Sequence, residues 1–260
     1  MPILHCADLA LNYQTFGDAT KPAIIFSNSL GTNYTMWQAQ YQALQQDYFI
    51  VCYDTRGHGA SSAPQGSYSL SQLGQDVIAL LDHLQLKKVF FCGISMGGLT
   101  GQWLARHYPE RFYHLMLCNT AAKIGQQQAW LERAALVREQ GLAPIAATAA
   151  SRWFTASFIE KNAQLVQDLS AHLAAGSAEG YARCCEALAH ADLRAELSKI
   201  QPPITIVAGQ YDPITTVEDG MVMQEKIPHA QLLKIAASHI SNIEQATAFT
   251  QMLRESFIVA

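Results

Sequence analysis

Short apolar runs that alternate with longer helical stretches predict an α/β protein with a mostly parallel central sheet flanked by helices. Runs dense in Val, Ile, Leu and Phe recur along the chain, the mark of strands buried on both faces. Between them lie segments with apolar residues at three- and four-residue steps, the mark of crossover helices. A third observation shapes the architecture: between 122 and 195 the alternation stops and no convincing strand appears.

The candidate strands, in order, are 9–15 (LALNYQT), 22–27, 48–53 (YFIVCY), 88–92 (KVFFC), 112–118 (FYHLMLC), 203–208 (PITIVA) and 230–235 (AQLLKI). Candidate helices cover 34–46, 69–85, 96–108, 218–227 and 241–257. Within 69–85, Leu70, Leu73, Val77, Leu80, Leu81 and Leu84 fall on one face. Residues 122–195 are rich in Ala, Gln, Leu and Glu and read as a helical insertion, a lid over whatever the sheet presents. A second helical domain without catalytic relevance is the alternative. The division is a core of 1–121 and 196–260 with a cap of 122–195.

Composition excludes several classes. The 260 residues are half hydrophobic and carry a net charge of −4, so no basic stripe invites nucleic acid. The apolar runs are strand-sized, far short of a membrane span, and the first residues lack the basic start and apolar core of a signal peptide. The six cysteines show no CxxC spacing, and Cys52, Cys92 and Cys118 sit inside apolar runs. Buried thiols in a reducing cytoplasm explain them better than disulfides or a metal site. Oligomeric state is left open.

The chemistry concentrates in KKVFFCGISMGG, 87–98. A strand runs into Gly93-Ile94-Ser95-Met96-Gly97 and then into a helical pattern, the strand–turn–helix setting that a G-x-S-x-G motif requires. A serine on so sharp a turn takes strained angles, and chains approach so closely that only glycine fits at 93 and 97. Serine alone is a poor nucleophile and needs a base held by a carboxylate. In the order Ser, Asp, His, the loop after 203–208 offers Asp212 and the loop after 230–235 offers His239. Of the other histidines, His58 is the most tempting, but it precedes the serine and its DTRGHGASS surroundings suggest a loop former. Asp54 also follows a strand; it and Arg56 are expected to tie down that loop.

These motifs resemble the α/β-hydrolases over essentially the whole chain: the GISMG elbow, the D-x-R-G-x-G-x-S loop at 54–61, and Asp212 and His239 in family order. The combination SNSLGT, YDTRGHGAS, GISMGG, NTAAKIG and ASHISNIEQ is similar to bacterial 3-oxoadipate enol-lactonases. The resemblance implies the α/β-hydrolase fold, with the cap inserted after its sixth strand, here 112–118. It also implies opening of a small carboxylated lactone through an acyl-enzyme, with no metal or organic cofactor. His239 would take the Ser95 proton while Asp212 holds the imidazole. The oxyanion would meet the backbone amides of Met96 and Leu30. The latter lies in Ser27–Thr32, a stretch of small and polar residues longer than a turn requires. Many relatives carry His-Gly where this chain has Asn28-Ser29. Gly31 would free the bend, and Asn28 or Ser29 would lock it through local side-chain bonds.

A carboxylate on the substrate wants a cation. Arg133 falls three residues after Trp130, so the two share a helix face. Arg133 is the candidate for the carboxylate, with Trp130 and Trp153 as pocket walls; a solvated Arg beside core tryptophans is the bland alternative. A general carboxylesterase or perhydrolase on the same triad remains open, as does a hydrolase-fold ligand receptor. Ser95 argues against haloalkane dehalogenases, which place Asp there.

Overall fold

Strands that are apolar at every position have no face for solvent, and here they pair as the interior of one sheet. The computed structural model describes residues 2–6 and 8–258. Its eight strands are β1 (Ile3–Cys6), β2 (Leu9–Phe16), β3 (Ala23–Ser27), β4 (Phe49–Tyr53), β5 (Val89–Ile94), β6 (Phe112–Cys118), β7 (Ile204–Gly209) and β8 (Gln231–Ile235). They lie in the order β1-β2-β4-β3-β5-β6-β7-β8. The β1–β2 and β2–β4 pairs are antiparallel and all later pairs parallel. Every residue of β3, β4, β5 and β7 is buried. The mostly parallel α/β sheet is as expected; β1, a four-residue edge strand of mixed exposure, is an addition.

Helices α1 (Gln38–Leu44), α2 (Leu70–His83) and α3 (Met96–His107) follow β3, β4 and β5. Adjacent side chains of β5 show how helices cover both faces of the sheet. Phe91 lies against Gly101 of α3, whereas Phe90 stacks on Phe257 near the C-terminus, with ring centroids 4.8 Å apart. In α2 the predicted apolar stripe is buried through Leu70, Leu73, Val77, Leu80 and Leu81, and Ser69 caps the helix by accepting from the Gln72 amide. The expected helix at 34–46 instead begins as a 3₁₀ turn, Tyr34–Trp37, where Asn33 caps the chain through the Thr35 amide.

Between β6 and β7 stand six helices: α4 (Gln127–Gln140), α5 (Ala143–Ala147), α6 (Ala149–Trp153), α7 (Ala156–Lys161), α8 (Ala163–Ala174) and α9 (Ala178–His190). The helix α9 is bolted to the core. Gly180 and the left-handed Gly57 approach so closely that a Cβ on either would lie within 2.5 Å of the other's Cα. Arg183 donates to the Pro64 carbonyl and to Gln65 Oε1. The fold closes with α10 (Val217–Lys226), opened by a reciprocal Thr216–Asp219 capping box, then α11 (Ser241–Glu244) and α12 (Ala246–Ser256). The expected single helix at 241–257 breaks at Gln245, which leaves helical angles. None of the described helices is long and apolar enough to cross a membrane.

Candidate active site

Parallel strands deliver their C-terminal ends to one edge of the sheet, and the loops there are where reacting groups collect. Ser95 follows β5 directly. Its φ of +57° is the strained elbow expected from G-x-S-x-G. The flanking glycines explain themselves by contact. A Cβ on Gly93 would lie 2.4 Å from the Gly97 carbonyl oxygen, and one on Gly97 would lie 2.3 Å from that of Ser27. The elbow is therefore pressed against the end of β3. Its backbone is held by the Ser95 amide donating to Cys118 O (3.0 Å) and by Thr120 Oγ1 donating to Ser95 O (2.8 Å).

The loops after β7 and β8 bring Asp212 and His239 together, with Nδ1 of the ring 2.8 Å from Asp212 Oδ2. Both side chains are almost wholly buried, and the carboxylate is caged by donors. Oδ2 also accepts from Thr215 Oγ1 (2.8 Å) and Asn119 Nδ2 (3.0 Å), while Oδ1 accepts from the amides of Ile214 (2.8 Å) and Thr215 (3.1 Å). Burial alone would raise the Asp212 pKa. The charge of His239, its hydrogen bond, and those from Asn119 and the Ile214 amide outweigh burial and hold the carboxyl below its ordinary value. The acceptor at Asp212 fixes Nδ1 as the protonated nitrogen, leaving Nε2 free to accept a proton. His239 and Ser95 line one cavity, and no hydrogen bond between Ser95 Oγ and the ring is formed among the described residues. Such contacts commonly tighten when substrate is bound.

Asn119 follows β6 and opens the NTAAKIG stretch. It takes φ +43°, a left-handed conformation that asparagine tolerates, and its amide spans two loops. One hydrogen bond goes to Asp212 Oδ2 and another to Ser238 O (3.1 Å), beside His239; Oδ1 accepts from Ser241 Oγ (2.5 Å).

The oversized loop after β3 folds back over the elbow. Gly31 takes φ +81°, as its expected role requires. Neither the Leu30 nor the Met96 amide donates a hydrogen bond among the described residues, and Leu30 lines the cavity with Ser95. The lock on the bend differs from expectation, because the bonds are long-range rather than local. Asn28 donates to Tyr53 O (2.8 Å) and accepts from Trp37 Nε1 (2.9 Å). His58 Nε2 accepts from the Gly31 amide (3.0 Å) while Nδ1 donates to Arg56 O (3.2 Å), so His58 is a neutral loop former. Burial lowers its pKa, consistent with that state. Asp54 ties down its loop through Ala60, Tyr34 and Asn12, whereas Arg56 reaches away to pair with Asp76 of α2 at 2.7 Å.

The cavity has a volume of about 250 Å³ and draws its far wall from the insertion. Trp130, Arg133 and Trp153, each expected from sequence, line it, and the Arg133 guanidinium lies 4.9 Å from the Trp130 ring centroid. Arg152, which sequence reasoning passed over, lines it too, as does Tyr181.

The sequence matches the alpha/beta hydrolase fold family over residues 22–246. It is 61% identical over 255 residues to 3-oxoadipate enol-lactonase 2 of Acinetobacter baylyi, covering 96% of each chain. To 3-oxoadipate enol-lactonase 1 of the same organism it is 47% identical, covering 93% of this chain and 91% of that one. The structure resembles the crystal structure of the enol-lactonase from Burkholderia xenovorans LB400, with a TM-score of 0.95, 39% identity and 98% of each chain covered. The chain belongs to the alpha/beta hydrolase family.

Proposed function

We propose that this protein opens 3-oxoadipate enol-lactone to 3-oxoadipate, in the bacterial degradation of aromatic compounds, with Ser95, His239 and Asp212 as its catalytic triad. One observation carries the reading of the site. A strained serine and a carboxylate-held imidazole share a cavity with cationic residues of the insertion. The similarity to named enol-lactonases supports the choice of substrate.

The steps follow from the geometry. His239 Nε2 accepts the Ser95 proton as Oγ attacks the lactone carbonyl, and Asp212 stabilises the imidazolium through Nδ1–H. The negative charge on the carbonyl oxygen is met by the amides of Leu30 and Met96, the second standing at the N-terminus of α3. Collapse breaks the ring C–O bond. The leaving group is an enolate, which takes a proton and tautomerises to the ketone. Water activated by His239 then cleaves the Ser95 ester. The helices of 122–195 act as a cap that walls the acyl group, with Trp130 and Trp153 as apolar faces and Arg133 receiving the substrate carboxylate.

The test compares hydrolysis of the enol-lactone with that of 4-nitrophenyl acetate, followed spectroscopically. Multiple rapid turnovers with a preference for the lactone are expected; single-turnover behaviour, or preference for the neutral ester, rejects the reading. Arg133→Met is expected to raise KM mainly for the acidic lactone, and an equal loss on neutral esters would remove Arg133 from its role.

A further inference from the structure

Among the described residues, seven of the nine arginines (Arg56, Arg106, Arg111, Arg138, Arg183, Arg194 and Arg254) form ion pairs with an aspartate or glutamate. The two without such a partner, Arg133 and Arg152, line the cavity that holds Ser95 and His239. Both are held in place without being neutralised. Arg133 lies over Trp130. Arg152 donates to the carbonyls of Ile145 (3.0 Å) and Thr148 (3.3 Å), neutral acceptors that orient a guanidinium and leave its charge intact. The two charges feel each other: burial and the Arg133 charge both lower the Arg152 pKa. Both also act on the Tyr181 hydroxyl, which burial pushes up to about 12, so it stays a neutral donor beside them. Two like charges kept together in a half-buried cavity stabilise an anion that arrives from outside the chain.

The chemistry of the proposed reaction says where that anion sits. Once the lactone ring opens, the group on Ser95 is a six-carbon chain with an ester at one end and a carboxylate at the other. The acyl-enzyme is thus already a half-ester of a dicarboxylic acid, and nothing in its hydrolysis requires that it came from a ring. We propose that Arg133 and Arg152 together seat the distal carboxylate, and that the enzyme therefore also hydrolyses open-chain half-esters of small linear dicarboxylic acids. The acyl group inferred here rests on the enol-lactonase reading. In the added reaction Ser95 Oγ forms the acyl ester as the carbonyl–alkoxy bond breaks. The departing alcohol takes the proton held by His239, and water then releases the diacid, so ester and water give diacid and alcohol.

The test uses mono-4-nitrophenyl adipate against 4-nitrophenyl hexanoate, which share chain length and leaving group and differ in the distal carboxylate. The wild-type kcat/KM is expected to favour the adipate half-ester by about tenfold or more, the scale of a charge-assisted bidentate contact. Arg152→Gln is expected to cost the half-ester about tenfold more than it costs the hexanoate ester. A second measurement needs no variant: adipate inhibits hexanoate ester hydrolysis competitively, and hexanoate at equal concentration inhibits far less. Equal rates on the two esters, or an undiminished preference in folded Arg152→Gln, overturns the proposal. Running the enol-lactone in parallel separates the two claims. Lactone turnover without half-ester preference rejects this inference alone, whereas half-ester preference without lactone turnover rejects the enol-lactonase reading and upholds the carboxylate seat.

Discussion

Replacing Asn119 by glycine removes the amide that bridges Asp212 and the His239 loop, and it does so without backbone penalty, since glycine accepts the φ of +43° found there. The variant loses the bond to Asp212 Oδ2 at 3.0 Å, the bond to Ser238 O at 3.1 Å and the acceptor for Ser241 Oγ. A hydrogen bond to a buried carboxylate contributes about 1.5–3 kcal/mol and a neutral one about 1 kcal/mol. A total loss of about 3.5–5 kcal/mol is therefore expected, or a fall in Tm of about 7–20 °C for a chain of this size. The rate should fall as well, because Asp212 loses the side chain that, beside His239 itself, anchors it from outside its own loop. Misorientation worth about 2 kcal/mol corresponds to a kcat lower by roughly thirtyfold. The pH dependence has a definite sign. The Asp212 pKa is depressed in the folded chain, so its contribution is complete above the unfolded value near 4 and is lost as pH falls through the folded value. Removing the Asn119 donor raises the folded value, so acid unfolding of the variant starts at a higher pH. Steady-state kinetics, thermal melts and acid titration by circular dichroism measure all three. A variant with lowered Tm but kcat within twofold of wild type would refute the argument and leave Asn119 as ordinary packing.

Other expectations follow from single contacts. Gly97→Ala places a Cβ where Ser27 backbone atoms stand, so the β3 loop must shift; kcat is expected to fall at least tenfold with KM changing less, as measured on a neutral ester. Trp37→Phe leaves Asn28 Oδ1 buried without its donor, costing about 1–3 kcal/mol in urea unfolding, and loosens the loop that carries the Leu30 amide. His114 is held neutral by burial, its pKa lowered from 6.5 to about 4. The unfolded chain binds its proton first as pH falls through that window, so stability drops there. His114→Gln keeps a partner for Thr205 Oγ1, and its stability curve between pH 6.5 and 4 should be flatter than that of wild type, as read by urea melts.

What the sequence disclosed depended on how local the signal was. The interior strands β3, β4, β5, β6 and β7 are legible because a parallel strand covered on both faces must be largely apolar. The antiparallel β2 and the partly exposed β8 show through their β-rich runs, and the observed bounds of all seven differ from the expected ones by no more than two residues. Ile3–Cys6 escaped because an edge strand of four residues shows neither a run nor a clear alternation. Ser95, Asp212 and His239 could be named because the elbow has a steric signature and the other two follow strands in order. The supporting cast was hidden by distance along the chain. Asn119 lies 93 residues from Asp212, and Asn28 finds Tyr53 and Trp37 rather than its neighbours. Arg152 sits in an alanine-rich stretch whose local pattern says nothing of the pocket it faces; only the cavity it shares with Ser95 reveals it.

Ser95 is the nucleophile on which the proposed mechanism depends. The most direct measurement is enol-lactone hydrolysis by Ser95→Ala, alongside a circular dichroism melt to establish that the fold is kept. The variant should lose turnover by about 10⁴-fold or more with an unchanged spectrum, leaving only the residual effect of binding and the two amides. Wild-type turnover in a folded Ser95→Ala protein would contradict the mechanism.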